Sequence, residues 1–191
     1  MDTEFGKKLW DTLFLDRDGV INKRKKGGYI THPDELELLP GAARAIRNLN
    51  PFFERILIIT NQQGIGKGLM TESDLEEVHI KMLRAIEAER GWIDKIYFAP
   101  QLASQDDYMR KPQAGMIIKA IQDFPKIELH RSWVVGDTTA DLKLAYDLGI
   151  DSAFVRTPQE AASDWEQYKP KVVVKSLVDF AKHLEQKVLN S

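Results

Sequence analysis

The sequence predicts an α/β protein, a three-layer sandwich built on a mainly parallel β-sheet. Short apolar runs alternate with amphipathic stretches along most of the chain, and that alternation is the pattern of strands joined by crossover helices. Most of the runs are too apolar to have a wet face, as expected of strands covered by helices on both sides. A length of 191 residues with 43% hydrophobic content is enough to bury one substantial core, so residues 1–191 are expected to form a single domain.

Strands are expected at residues 12–15, 55–59, 95–98, 133–135, 152–155 and 171–174. Helices should begin near Glu72 and Leu177, because Thr71 with Asp74 and Ser176 with Asp179 resemble capping boxes with an acidic partner. Further helices are expected at 41–49, 114–124 and 138–148, the last ended by Gly149. Two connections are longer than simple links, 19–40 and 99–112. Both adjoin the motifs described next and are expected to be active-site loops. No insertion is large enough to form a big cap domain.

Composition narrows the chemistry. Lysine and arginine total 27 against 29 acidic residues, a net charge of -2, so no global positive field exists to hold a polynucleotide, and a nucleic-acid partner is not expected. The absence of cysteine removes disulfides and thiolate ligands from consideration. The N-terminal residues lack an apolar stretch of signal-peptide length, and the aliphatic run Ile56-Leu57-Ile58-Ile59 is far too short to cross a bilayer. A cytoplasmic monomer without a membrane partner is the expectation.

The motifs lie at strand ends. Phe14-Leu15-Asp16-Arg17-Asp18-Gly19 brings two carboxylates to the carboxyl end of a strand, where open α/β sheets bind ligands. Alternate residues of a strand point oppositely, but a turn at Gly19 can aim both acids at one site. Taken alone, this Asp-x-Asp is equally well a solvated loop. Thr60-Asn61-Gln62 ends a second strand in a hydroxyl and amides able to donate to phosphoryl oxygens. Arg110-Lys111-Pro112 sets two cations ahead of a helix, and Val135-Gly136-Asp137-Thr138-Thr139-Ala140-Asp141 ends another strand in one acid with a second about a helical turn later. Jointly, these segments are hard to explain as surface polarity.

In order and spacing, LDRDGVIN, TNQQGIGKG, RKP and VGDTTAD resemble the haloacid dehalogenase (HAD) superfamily of phosphatases over nearly the whole chain. They are closer still to its small, largely capless branch of heptose 1,7-bisphosphate and histidinol-phosphate phosphatases. The resemblance implies a Rossmann-like, HAD-like fold and a magnesium-dependent phosphomonoesterase working through an aspartyl-phosphate. Its first expected substrate is D-glycero-D-manno-heptose 1,7-bisphosphate, losing the 7-phosphate; histidinol phosphate or another sugar or nucleotide phosphate is the alternative.

By matching position, Asp16 is the nucleophile, Asp18 the acid and then base, and Thr60 and Lys111 complete the catalytic group. Magnesium would be held by the Asp16 side chain, the Asp18 backbone carbonyl and Asp137, with Asp141 supporting that shell rather than joining it. Asn61, Gln62, Arg110, Lys26 and Tyr29 are the candidate substrate-binding residues, the cationic run 23–26 being suited to a second phosphate. Relatives on this branch carry a zinc loop with cysteine pairs. Here Ala99-Pro100-Gln101 and Asp107-Tyr108-Met109 stand at the matching places, so zinc is not expected.

A phospho-receiver domain shares the strand-end aspartate, the metal, the hydroxyl residue and the lysine, but Asp18 supplies the proton transfers that turnover requires. A silent metabolite-binding protein is a further alternative, which the intact motifs disfavour. Gly64-Ile65-Gly66-Lys67-Gly68 fits neither nucleotide-binding fingerprint and reads as an irregular turn. The four histidines form no obvious ligand pair; His32, in the loop after the first motif, is a minor candidate for contact with substrate, whereas His79 and His183 are expected at helix surfaces or boundaries.

Overall fold

The computed structural model describes residues 8–105, 107–156 and 164–190. Its strands are β1 (Trp10–Leu15), β2 (Phe53–Asn61), β3 (Lys95–Ala99), β4 (Trp133–Gly136), β5 (Asp151–Val155) and β6 (Val172–Val174), ordered β3-β2-β1-β4-β5-β6 in one parallel sheet. The helices are α1 (Ala42–Leu49), α2 (Gln63–Gly66), α3 (Glu72–Ala88), α4 (Gly115–Asp123), α5 (Thr139–Leu148) and α6 (Leu177–Leu189).

The pleat explains why the strands are apolar throughout. Leu13, Leu15, Ile56, Ile58, Trp133 and Val135 join one core with Ile46 of α1, Met82 of α3 and Phe180 of α6. Phe14, Leu57 and Val134 point the other way, onto Met116 and Ile117 of α4 and Leu144 of α5. None of these side chains is more than 1% exposed, so both faces of the sheet are dry and alternation has no use here.

Local signals set the helix ends as expected. Thr71 Oγ1 accepts from the Asp74 N–H at 3.1 Å while Asp74 Oδ2 accepts from the Thr71 N–H at 2.7 Å, a complete capping box. Ser176 Oγ likewise accepts from the Asp179 N–H at 3.2 Å. One strand and one turn differ from expectation. β2 continues through Thr60 and Asn61, which register with Phe98 and Ala99 of β3, so these polar residues sit in the ladder. The glycine-rich turn after it holds the short helix α2.

Strand order reverses at the boundary between β1 and β4, which makes the crevice between their carboxyl ends the place for a ligand. Leu15 registers with Val135, and the Asp16 N–H donates to the Val135 carbonyl at 2.9 Å. Asp16 and Asp137 therefore leave the sheet side by side.

The long connection after β1 is a pinned flap. Lys23 N–H donates to the Glu37 carbonyl and Leu39 N–H to the Ile21 carbonyl, each at 2.9 Å, and buried Val20, Ile21, Ile30 and Leu36 root it in the core. Its apex, residues 24–30, is left over the crevice. Among the described residues there is no large cap, and no helix is long and apolar enough to cross a membrane.

Candidate active site

The crevice opens into a cavity of about 550 Å³ lined by Asp16, Asp18, Tyr29, Thr60, Asn61, Gln62, Arg110 and Lys111, all anticipated from sequence. Lys26 is the exception. Gly28 N–H closes a turn onto the Lys25 carbonyl at 3.3 Å, with Gly27 at φ 70°. Lys26 sits at the outer corner of that turn and is exposed. Arg24, Lys25 and Lys67 line the cavity instead.

Two glycines let the acids approach one another. A Cβ on Gly19, which has φ +93°, would lie 1.9 Å from Asp137 Oδ2, and one on Gly136 would lie 2.2 Å from the Asp141 Cβ. No other residue fits either place.

Carboxylate oxygens of Asp16, Asp137 and Asp141 lie within 4.8 Å of one another, all buried. Lys111, 4% exposed, sets its Nζ between two of them, 2.7 Å from Asp16 Oδ1 and 2.6 Å from Asp141 Oδ1, and donates to the Ile59 carbonyl at 2.8 Å. Asp141 Oδ2 accepts from the Thr138 hydroxyl at 2.6 Å and the Thr138 N–H at 3.2 Å. Asp141 thus joins the start of α5 to Lys111.

Burial pushes the Asp16 carboxyl up; Lys111 pulls it down, Asp141 and Asp18 push it up again, and the net direction is up. Asp18 goes the other way. Burial raises it, but the Arg17 charge and hydrogen bonds from Arg17, Asn22 and Gln62 outweigh burial and hold it below the ordinary carboxylate value.

Two amides expected to face the substrate are spent on their neighbours. Gln62 Nε2 donates to Asp18 Oδ2 at 2.9 Å and Thr60 Oγ1 at 2.8 Å. The Thr60 hydroxyl accepts that bond, which leaves its own hydrogen free to donate into the cavity. Asn61 pairs with the Lys111 backbone, Nδ2 to O at 3.1 Å and Oδ1 from N–H at 3.0 Å. Both side chains set other residues in place.

The model of the HAD-hydrolase-like family matches residues 108–180. The D-glycero-alpha-D-manno-heptose-1,7-bisphosphate 7-phosphatase of Mycobacterium bovis is 39% identical over 136 residues, 71% of this chain and 72% of that protein. A D-glycero-beta-D-manno-heptose-1,7-bisphosphate 7-phosphatase from Haemophilus ducreyi is 32% identical over 94% of this chain and 99% of its own. The chain belongs to the HAD-like heptose-bisphosphate phosphatase family. The crystal structure of the D,D-heptose 1,7-bisphosphate phosphatase of B. bronchiseptica, complexed with magnesium and phosphate, superposes with a TM-score of 0.81. It is 28% identical and covers 93% of this chain and 99% of its own. This family member is a phosphatase, and its sandwich and parallel sheet are those of its structural relatives.

The donor set of this HAD phosphatase fits a hard divalent cation. Three buried carboxylates, Asp16, Asp137 and Asp141, face two cations, Lys111 and Arg24, which leaves the cluster one positive charge short. Burial first and then Asp16 push the Asp137 carboxyl up to about 8, although Arg24 opposes them. The Arg24 guanidinium lies among the oxygens that would hold such a cation: its Nη2 is 2.7 Å from Asp137 Oδ1, 2.9 Å from the Asp18 carbonyl and 4.0 Å from Asp16 Oδ2. An all-oxygen set suits magnesium. Nothing in the sequence distinguished Arg24 from its basic neighbours; only the flap's path brings it inward.

A stability prediction follows from Asp137. A carboxyl held at about 8 against an ordinary 3.8 contributes stability that is full below pH 3.8 and lost as pH rises through 8. With metal chelated and above pH 8, Asp137→Asn should therefore melt higher than wild type, by about 2–8 °C. Calorimetry that finds it unchanged or lower would contradict the assignment of a strained carboxylate.

The histidines divide differently from expectation. His79 is buried, 7% exposed, with Nε2 3.3 Å from Arg17 Nη1. Burial and then the Arg17 charge push it down to about 3, so it is neutral. It faces inward because α3 turns this residue toward β1. His32 is exposed, accepts from the Asp34 N–H at 3.2 Å, and does not line the cavity. His183 is exposed, as expected.

Proposed function

We propose that this phosphatase removes the 7-phosphate of a D-glycero-D-manno-heptose 1,7-bisphosphate, with magnesium, through a phosphate ester of Asp16. The observation that carries the reading is the Lys111 ammonium clasped between Asp16 and Asp141 beside the free Thr60 hydroxyl hydrogen. A carboxylate cannot approach a phosphate dianion without such charge compensation. The names of the relatives support the substrate.

In the first half-reaction an Asp16 oxygen attacks phosphorus. The bond from phosphorus to the sugar oxygen breaks, Thr60 and Lys111 bind phosphoryl oxygens, and Asp18 gives its proton to the departing alkoxide. Three donors favour the ionised form of Asp18 in the free protein; the charge of the arriving phosphate shifts it toward the protonated form. In the second half-reaction Asp18 takes a proton from water as that water attacks phosphorus. The phosphorus–Asp16 bond breaks, inorganic phosphate leaves, and the carboxylate is regenerated. Asp16, the Asp18 carbonyl and Asp137 would hold the magnesium ion, which would supply charge neutralisation for the phosphoryl oxygens. Asp141, with both oxygens engaged by Lys111 and Thr138, supports that shell. With alanine and aspartate where zinc-loop cysteines would stand, zinc is not part of the proposal.

The second phosphate is met by the cavity's other cations. Lys23 pairs with Glu37, Lys25 with Glu35 and Arg24 with Asp137. Lys67, 5.1 Å from the centre of the Tyr29 ring, and Arg110, which donates to the Gln101 carbonyl at 3.2 Å, have no carboxylate partner among the described residues. Arg110→Ala should raise KM for the heptose bisphosphate about 10- to 100-fold, the worth of one charge-assisted hydrogen bond, and leave KM for heptose 7-phosphate within about 3-fold. Equal changes for both would remove Arg110 from the second-phosphate site. A phosphate-release screen with magnesium, setting heptose bisphosphates against histidinol phosphate and other sugar phosphates, tests the substrate itself; faster turnover of histidinol phosphate would overturn it.

A further inference from the structure

Behind the cavity floor lies a buried pair that the reaction as described does not use. Arg17, between the two motif acids, borders the cavity and is only 1% exposed. Its Nη2 is 2.9 Å from Asp18 Oδ1 and 2.8 Å from Oδ2, its Nη1 is 3.3 Å from His79 Nε2, and its Nε has no partner. A guanidinium has donors only, so Nε2 of His79 is the acceptor and its proton sits on Nδ1. His79 is the sole group bonded to the Arg17 guanidinium on the side away from Asp18 among the described residues.

We infer that His79 is a positioning residue for Asp18, acting through Arg17. The inference rests on the reading of Asp18 as the proton donor and acceptor. Arg17 has three rotatable carbons and one strong partner in Asp18; without a second anchor its head follows the carboxylate instead of fixing it. The neutral imidazole on α3 supplies that anchor. It fixes the guanidinium plane, and the plane fixes the Asp18 oxygens against the Asn22 and Gln62 donors. Charge suits the task, because a protonated histidine could not accept from arginine. Helical spacing puts His79 on the apolar stripe of α3 with Leu75, Val78, Met82 and Ile86, but only the Arg17 head group shows what it does there.

The alternative is that Arg17 and His79 merely fasten α3 to the sheet. Leaving-group dependence separates the two. An alkyl phosphate needs a proton on its departing oxygen, whereas p-nitrophenolate leaves without one. First-turnover cleavage of the alkyl phosphate that the wild-type enzyme hydrolyses fastest, and of p-nitrophenyl phosphate, should be followed for His79→Leu, His79→Gln and Asp18→Asn, each loaded with magnesium. His79→Leu should slow the alkyl ester about 10- to 100-fold and the aryl ester less than about 3-fold, with KM little changed. His79→Gln, whose Oε1 can accept from Arg17, should recover most of the loss.

If Asp18→Asn shows no preference between the esters, the reading of Asp18 fails. If Asp18→Asn shows it and His79→Leu slows both esters equally, or neither, the inference about His79 is overturned. Should His79→Leu not fold, Arg17→Gln carries the same comparison, and an equal loss on both esters again overturns it.

Discussion

Asp16→Asn is expected to lower turnover by at least ~10⁴-fold, because the amide is no nucleophile toward phosphorus and Asp141, the other carboxylate beside Lys111, already has its oxygens engaged by Lys111 and Thr138. The fold should persist. Asp16 is buried with its pKa raised, so replacing it with a neutral isostere removes a strained charge, and Lys111 keeps Asp141 as its partner. Thermal melting within a few degrees of wild type, together with lost phosphate release, is the expected pair of results. Retained turnover in a well-folded variant would sink the nucleophile.

Lys111→Met combines the largest stability effect with a loss of activity. The ammonium is 4% exposed and holds Asp16, Asp141 and the Ile59 carbonyl together. Methionine matches its length but takes the cation from buried Asp141 and leaves Asp16 only Arg24 at 4.0 Å, a cost of about 3–5 kcal/mol, which amounts to roughly 6–20 °C in melting temperature. The loss should shrink in acid, where Asp16, whose carboxyl burial pushes up, takes up a proton. Turnover should fall by about 10²- to 10³-fold, the usual price of one preorganised charge donor. A melting difference that does not change with pH would show that packing, not charge, accounts for the loss.

The sandwich and its strand ends were legible in the sequence because they depend on local chemistry: apolar runs such as Leu13-Phe14-Leu15, the Thr71 capping box, the stop at Gly149. The acids could be read for the same reason, each being tied to a strand terminus. What escaped depends on contacts between distant segments. Arg24 reaches Asp137 only because the flap is pinned at Lys23 and Leu39, and Lys26 is thrown outward by a turn one residue later. Gln62 and Asn61 could be placed at the site but not aimed; the first is claimed by Asp18 and Thr60, the second by the Lys111 backbone. His79 needed the Arg17 head group 62 residues away to have any meaning.

The central claim is that phosphate passes through Asp16, and its most direct measurement is the position of the covalent phosphate. The magnesium-loaded enzyme should be quenched during turnover with borohydride, which reduces an acyl phosphate, and its peptides read by mass spectrometry. The account predicts homoserine at position 16. Homoserine at Asp18 or any other carboxylate, with residue 16 intact, would contradict it.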